Sequence, residues 1–392
     1  MITNKINNWV DHFSDNFQWS NAMLVCKGMV PFGCVSMNDL TRISDKLLQS
    51  EITKENWKDI WCNEANLNFE KAKLAEEENK TQTSGLYYLR AGNYFYTGER
   101  FIPPGEEKLK LGKKAFNCFH IGLKKKYPAI EFIELPYENS SLPGLFYPAK
   151  NSSKPAPTVI IFNGMDNCKE MSILFAGIEL SNRGYNVLAI DGPGQGESLR
   201  LRGINARHDY EAVGTLAYDW AKDRSDVNER KVAIIGYSFG GYYASRIAAF
   251  EKRFAAGIAL TAGHWNLHKF QREMLAKAIK DGKSIAQSNF QFQWVVGSKT
   301  SEDALEKSKK FSIENIADKI EIPFLITHGE NDKIIPVINA KKLYDAIPQS
   351  TVKKLKIFTA MDGACEHAHV DDRQVGINYA ADWLTSIFSS ID

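Results

Sequence analysis

The sequence lacks the features that mark disulfide-rich, secreted or membrane-spanning proteins. Its 392 residues contain six scattered cysteines and no C-x-x-C pair. This cysteine usage predicts free, mostly buried thiols in a reducing compartment. No segment approaches the roughly 20 consecutive apolar residues that a membrane span needs, and the N-terminal residues lack the pattern of a signal peptide. We therefore expect a cytoplasmic protein without membrane attachment.

The sequence also lacks an excess of charge of one sign. The net charge is +2, and the charged residues, 24% of the chain, form no long run of one sign. Nucleic-acid-binding proteins need clustered Lys and Arg to neutralise phosphates, so a nucleic-acid partner is not expected. The hydrophobic content of 44% is enough to bury a large core. The partner that we expect is a small-molecule substrate, which the sequence motifs indicate rather than these totals.

The pattern of the sequence changes near residue 127. Residues 1–126 show helical patterns and little that indicates a strand, which predicts an N-terminal helical domain. In residues 127–392, short apolar runs alternate with helical patterns, which is typical of a mostly parallel sheet covered by helices on both faces. The strand candidates are 130–137, 143–148, 158–163, 186–191, 231–237, 255–262, 323–328 and 354–359. Eight strands in this order, the first two spaced like an antiparallel hairpin at the sheet edge, predict an α/β-hydrolase fold.

The interval between the sixth and seventh strand candidates is long. A structureless loop of about sixty residues is improbable in a compact domain. Residues 266–281 and 301–318 have helical patterns. We therefore predict a helical insertion at 263–320, lying over the carboxyl edge of the sheet, where α/β proteins bind ligands.

The strongest chemical signal is the segment GYSFGG at 236–241. It follows the apolar strand KVAIIG and precedes a helical pattern, which is the context of a nucleophile elbow. In such an elbow the serine lies in a sharp turn, and glycines two residues to either side avoid a clash. This pattern predicts Ser238 as a nucleophile.

A nucleophilic serine needs a base to take its proton and an acid that orients the base. In this fold the acid precedes the histidine along the chain. Asp332 follows the apolar strand PFLI, and we interpret the nearby Glu330 as solvated or structural. The loop after the last strand offers His367 and His369, and their spacing does not choose between them. A metal site in this HAHVDD segment is not expected, because adjacent histidines on a loop seldom suffice without further ligands.

Two backbone N–H groups are needed to stabilise the oxyanion of an acyl-transfer reaction. We predict that they belong to Phe239, which follows the nucleophile, and to Met165, in the loop after the third strand. His264 and Trp265, at the end of the sixth strand, are the candidate substrate contacts. The glycine-rich segment 191–198, DGPGQGES, lacks the spacing and lysine of a phosphate-binding loop, so we interpret it as a structural turn and expect no cofactor.

Several segments resemble one family of α/β hydrolases. They are RAGNYFYTGERF, NGMDNCKE, DGPGQGES, GYSFGGYYASRIAAFEKRF and the Glu366-His367 pair. The family includes 2,6-dihydroxypseudooxynicotine hydrolase and the fungal pigment-pathway hydrolases that shorten polyketides; the likeness to fermentation–respiration switch proteins is more distant. The resemblance implies that His367 is the base, that the N-terminal helices form a lid, and that a homodimer is plausible.

The resemblance implies hydrolysis of an ester or of a C–C bond beside a ketone. Some family members carry a carboxylate after the sixth strand that is tied to C–C cleavage, but the matching stretch here, TAGHWNLHKF, has none. The prediction is a serine hydrolase that forms an acyl-enzyme on a small to medium apolar or aromatic ester or ketone. The alternatives are a non-catalytic binding or regulatory protein of this fold and an acyltransferase.

Overall fold

The computed structural model describes residues 9–14, 16–150, 155–280 and 290–391. These residues form two compact units. One comprises the chain up to Ile130 together with Val370–Arg373, and the other comprises Glu131–His369 with the chain from Gln374 onward. Among the described residues, no helix combines the length and the apolar character that crossing a membrane requires.

The first unit is helical. Its helices are α1 (Phe17–Lys27), α2 (Met37–Leu48), α3 (Lys54–Glu77), α4 (Thr81–Gly98) and α5 (Glu106–Lys126). Its core is aromatic: the ring centroids of Trp57 and Trp61 lie 5.3 Å apart, and those of Trp61 and Tyr94 lie 5.8 Å apart. The Tyr94 hydroxyl donates a hydrogen bond to Asp39, 3.0 Å away, so this buried polar group is satisfied. The α4 aromatics at 94–96 are buried.

The second unit contains an eight-stranded sheet in the order β1-β2-β4-β3-β5-β6-β7-β8. The strands are β1 (Glu131–Tyr137), β2 (Ser140–Tyr147), β3 (Ala156–Phe162), β4 (Asn186–Ile190), β5 (Val227–Tyr237), β6 (Ala256–Leu260), β7 (Phe324–Gly329) and β8 (Lys353–Phe358). The β1–β2 and β2–β4 pairs are antiparallel, and the other pairs are parallel. The predicted fold class, with a hairpin at the sheet edge, is therefore confirmed.

Helices connect and cover the strands. They are α6 (Lys169–Ser172), α7 (Ile178–Asn182), α8 (Gly196–Arg202), α9 (Glu211–Lys222), α10 (Phe239–Phe250), α11 (Leu267–Lys280), α12 (Phe290–Val295), α13 (Ser301–Ser308), α14 (Ile338–Asp345) and α15 (Arg373–Ser389). A π-helical turn, Ile173–Gly177, joins α6 to α7. The inner strands β3, β4 and β6 are buried along almost their whole length, as expected for strands covered on both faces.

The described residues between β6 and β7 include the helices α11, α12 and α13, but one helix predicted there is wrong in extent. The pattern at 301–318 predicts one helix, whereas α13 ends at Ser308. Beyond it, the N–H groups of Ile313 and Glu314 donate to the carbonyl oxygen of Trp265 at 3.0 and 3.3 Å, so this backbone bonds to the β6–α11 loop instead of continuing the helix. Residues 281–289 of the predicted insertion lie outside the described residues.

The parallel pairing determines where the loops of interest lie. Because β3, β5, β7 and β8 run in the same direction, their carboxyl ends meet at one edge of the sheet. The loops that leave this edge carry Asn163, Ser238, Asp332 and His367. Residues that are far apart in the sequence are thereby brought within reach of each other.

Candidate active site

Ser238 lies in a strained turn between β5 and α10. Its backbone has φ 58° and ψ −121°, in a region that residues with a side chain rarely occupy. A Cβ added to Gly236 would lie 1.9 Å from the carbonyl oxygen of Gly240, and one added to Gly240 would lie 2.4 Å from that of Phe162. Both glycines are therefore required by close backbone approaches at the turn, as in a nucleophile elbow.

The side chains of Ser238, His367 and Asp332 form one chain of hydrogen bonds. His367 Nε2 lies 2.7 Å from Ser238 Oγ, and His367 Nδ1 lies 2.8 Å from Asp332 Oδ2. A carboxylate only accepts, so His367 Nδ1–H donates to Asp332, and Nε2 is left to accept the hydroxyl proton of Ser238. The His367 side chain is 13% exposed and that of Asp332 is fully buried. This is the arrangement by which a histidine activates a serine.

Asp332 is held by backbone groups as well as by the histidine. Its Oδ1 accepts hydrogen bonds from the N–H groups of Ile334 and Ile335, both at 2.8 Å. Burial opposes ionisation, but the nearby His367 and His328 and the Ile335 N–H outweigh it, so the pKa of Asp332 lies below its ordinary value. The residue therefore stays ionised, as the orienting acid of a catalytic histidine must.

His369 is used for structure in the same loop. Its Nδ1 lies 2.7 Å from the carbonyl oxygen of Ala364 and must donate to it, which leaves Nε2 to accept from the Thr327 hydroxyl at 2.8 Å. Ala364, Ala368 and His369 all have positive φ angles, 59°, 50° and 57°. Both ring nitrogens of His369 thus secure a strained loop, and His367 is the histidine that reaches Ser238.

The two predicted oxyanion donors flank Ser238. Phe239 is the first residue of α10, so its N–H is one of the helix-end donors without a partner inside the helix. Gly164 packs directly against the serine: a Cβ at this position would lie 3.1 Å from Ser238 Cβ and 3.5 Å from Ser238 Oγ. The peptide that follows Gly164 carries the Met165 N–H. Both donors therefore belong to backbone next to the serine.

His264 and Trp265 follow β6 at the same edge of the sheet. His264 is partly exposed, but its Nδ1 is buried and has no hydrogen-bond partner among the described residues. Burial, with the added effect of His367, lowers the pKa of His264 to about 3. The imidazole is therefore neutral at physiological pH. The backbone N–H of Trp265 donates to Asn339 Oδ1 at 3.0 Å, and the Trp265 side chain is partly buried.

The insertion contributes aromatic rings next to the elbow. The Phe239 ring lies 6.3 Å from that of Phe292 and 5.5 Å from that of Phe311. The rings of Phe292 and Phe311 lie 5.9 Å apart, and both side chains are buried. These contacts hold Phe239, the residue after Ser238, in an apolar surrounding.

Two residues that support the site were missed at the level of the sequence. Asn163 and Asp191 are fully buried, and each directly follows the last residue of its strand, β3 and β4. Strands β3 and β4 pair in parallel, with Phe162 opposite Ile190. A polar residue immediately after each of two strands is the signal that would have identified the pair.

Comparison with protein families gives two matches that cover more than half of the chain each. A family described as the prolyl oligopeptidase family matches residues 174–389, which contain Ser238, Asp332 and His367. A family described as esterase FrsA-like matches residues 32–280, including most of the helical unit.

Individual relatives extend over nearly the whole chain. The protein is 28% identical to 20-hydroxy-prefusarin hydrolase of Gibberella moniliformis, over 96% of this chain and 97% of that protein. It is 28% identical to an alpha/beta hydrolase of Xenoacremonium sinensis, over 88% of each chain. Among solved structures, 2,6-dihydroxy-pseudo-oxynicotine hydrolase superposes with a TM-score of 0.74, at 20% identity, over 92% of this chain and 95% of that one. At this identity the last likeness shows a shared fold.

Proposed function

Since this chain belongs to the α/β hydrolases, in the group that includes the prolyl oligopeptidases and the FrsA-like esterases, we propose that it is a serine hydrolase working through an acyl-enzyme. The observation that carries the proposal is the continuous hydrogen-bond chain from Ser238 through His367 to Asp332. The Met165 and Phe239 N–H groups are the proposed oxyanion donors.

The proposed reaction has two halves. Ser238 Oγ attacks the carbonyl carbon while His367 Nε2 takes the hydroxyl proton, which gives a tetrahedral oxyanion. Collapse breaks the bond to the leaving group, which receives its proton from His367, and leaves an acyl ester on Ser238. Water then attacks this ester, His367 takes and returns a proton in the same way, and the carboxylic acid is released. Asp332 stabilises the imidazolium in both halves.

We propose an ester or a ketone with an apolar or aromatic acyl group as the substrate. The aromatic surrounding of Phe239 supports an apolar acyl group. His264 and Trp265 are the proposed substrate contacts, and a neutral His264 would be able to donate a hydrogen bond to a leaving oxygen. Cleavage of an ester releases an alkoxide, and cleavage of a C–C bond beside a ketone releases an enolate. Both leaving groups carry negative charge on oxygen, so the same site is compatible with both substrates.

Labelling with a fluorophosphonate probe and turnover of a p-nitrophenyl ester test the nucleophile. We expect the unmodified protein to be labelled and active and Ser238→Ala to lose both. Equal labelling of the two proteins would contradict the proposal.

The same assays separate the two histidines. We expect His367→Ala to lose activity by several orders of magnitude, because the proton acceptor is removed. We expect His369→Ala to be less stable to urea but to keep measurable turnover once folded. A collapse of turnover in His369→Ala alone, with His367→Ala active, would overturn the assignment of the base. Product analysis with an aryl ester and an aryl β-diketone then distinguishes C–O from C–C cleavage.

A further inference from the structure

Asn163, directly after β3, is held in place by four buried side chains from three other segments of the second unit. Its side-chain amide nitrogen donates to Asp191 Oδ1 at 2.6 Å, and its side-chain oxygen accepts from Tyr237 at 3.3 Å and from Ser172 at 2.5 Å. Its backbone carbonyl accepts from Gln195 Nε2. We call these four partners of Asn163, namely Ser172, Asp191, Gln195 and Tyr237, the Asn163 anchor.

The anchor fixes both the side chain and the backbone of one residue. A hydrogen bond to the Asn163 carbonyl sets the plane of the peptide between Asn163 and Gly164. Gly164 in turn lies next to Ser238, since a Cβ at this position would be 3.1 Å from Ser238 Cβ. The next peptide group carries the Met165 N–H. Any rotation of Asn163 therefore moves the proposed oxyanion donor relative to Ser238.

Asp191 is the charged member of the anchor. Besides Asn163, its oxygens accept from the backbone N–H groups of Lys169 at 2.7 Å and Glu197 at 2.9 Å. Lys169 Nζ also lies 3.3 Å from Asp191 Oδ2. Every one of these partners is a donor, so the ionised carboxylate satisfies all of them at once. Asp191 thereby joins the starts of α6 and α8 to the loop after β3.

Lys169 explains how this charge is kept inside the protein. Its side chain is 1% exposed, and its Nζ lies 2.6 Å from Glu170, 2.8 Å from Glu197 and 3.3 Å from Asp191. A buried carboxylate is retained only where a cation and hydrogen bonds compensate for its lost hydration. Lys169 and these three carboxylates lie close to the loop that carries Met165.

We propose that Asp191 is a positioning residue for oxyanion stabilisation, acting through Asn163 to hold the Met165 N–H at its place beside Ser238. This inference rests on the proposed serine-hydrolase function and assigns a role within that site. In this proposal Asp191 does not contact the substrate. It acts by keeping the backbone that carries the Met165 N–H in a fixed position. Preorganised donors stabilise the transition state more than the bound substrate.

The first test is Asp191→Asn, assayed with a p-nitrophenyl ester. The amide replaces one of the two acceptor oxygens by a donor, toward which donors already point, so the hold on Asn163 is weakened. Removing an oxyanion donor altogether costs roughly 10²–10³-fold in kcat, and displacing one should cost about 10- to 100-fold with little change in KM. A trifluoromethyl ketone, which adds to the serine as a tetrahedral oxyanion, should bind more weakly by a similar factor.

Two further variants keep the test decisive. Asn163→Ala removes the link itself, and it carries the test if Asp191→Asn does not fold. In the double variant we expect the loss in kcat to equal that of Asn163→Ala alone, because Asp191 acts through Asn163. Losses that multiply would overturn the proposal.

The matched control is Glu251→Gln. Glu251 is a buried carboxylate of the same unit, bonded to Arg253 at 2.6 Å, but it lies at the far end of α10 from Ser238. We expect lower resistance to urea with kcat unchanged. Wild-type kcat and ketone binding in Asp191→Asn, with Ser238→Ala inactive, would refute only the role of Asp191. Full activity of Ser238→Ala would refute the proposed function and this inference together.

Discussion

Two histidines separated by one residue perform different tasks in the loop after β8. His367 bonds to Ser238 and Asp332, whereas His369 bonds to Thr327 and to a backbone carbonyl. The positive φ angles at Ala368 and His369 turn the backbone so that the two rings face different partners. At the scale of single residues, the role of an imidazole therefore depends on the partners of its two nitrogens: one nitrogen donates to an acceptor, and the other accepts from a donor.

His264 gives a prediction on the pH dependence of stability. Its pKa is lowered to about 3 in the folded protein, from an ordinary value of 6.5. Between these values the unfolded chain binds a proton that the folded protein does not. The contribution of neutral His264 to the free energy of unfolding is complete above pH 6.5. It is lost as the pH falls toward 3, by up to about 1.4 kcal/mol per pH unit.

Urea unfolding at several pH values between 7 and 4 measures this effect. We expect His264→Gln, which cannot be protonated, to show a shallower fall in the free energy of unfolding than the unmodified protein. Phe270→Leu is the control, because it removes the ring whose centroid lies 4.3 Å from that of His264 but keeps the imidazole. Equal slopes for the unmodified protein and His264→Gln would contradict the prediction.

At the scale of elements, the elbow and the loop after β3 depend on each other. Gly240, in the first turn of α10, has no room for a Cβ because the carbonyl oxygens of Phe162 and Asn163 would lie 2.4 and 2.6 Å from it. The start of α10 thus packs against the backbone that leads to Met165. A change on one of these elements must displace the other.

Gly240→Ala tests this dependence. The added methyl group should push the loop after β3 away from α10, so we expect a large loss of kcat together with lower stability. Gly203→Ala is the control: Gly203 has φ 67° but no atom within 4 Å of its added Cβ. It should cost about 1 kcal/mol in the free energy of unfolding through backbone strain and leave kcat unchanged. Activity in Gly240→Ala equal to that of the control would argue against the contact.

At the scale of the whole molecule, the reactivity of the buried thiols measures whether the protein is folded. All six cysteines are free, as the sequence predicts, and five of them are buried. Burial raises the pKa of Cys26 to about 11 and that of Cys34 to about 12. Burial also raises the pKa of Cys62 to about 11 and that of Cys118 to about 12. The thiolate is the reactive form, so these groups should be inert in the native protein.

Reaction with Ellman's reagent at pH 8 checks this expectation. We expect slow, incomplete reaction of the native protein and rapid reaction of all six thiols in urea. Comparable rates in both conditions would contradict the burial of the thiols.

The cytoplasmic compartment, the homodimer and the role of residues 1–126 as a lid stay predictions.

Most of the fold was predictable because its signals are local. Short apolar runs between helical patterns define the strands, and the comparison with two families confirms the resemblance drawn from GYSFGG, DGPGQGES and their neighbours. The end of α13 at Ser308 was not predictable, because the backbone beyond it bonds, through Ile313 and Glu314, to Trp265, which is far away in the sequence. The glycine-rich segment 191–198 carries Asp191 and Gln195, but their contacts with Asn163 were hidden because Asn163 lies far away in the sequence.

The sequence by itself determined the fold, the elbow around Ser238 and the order of its candidate partners, because strand periodicity and glycine placement act over a few residues. The spacing of the residues left the choice between His367 and His369 open, and only the tertiary structure shows that His367 lies against Ser238 and that Asp191 reaches Asn163. Both outcomes depend on contacts between segments that are separated in the chain and meet at one edge of the sheet. Such contacts are set by strand pairing and loop conformation, which no single segment encodes.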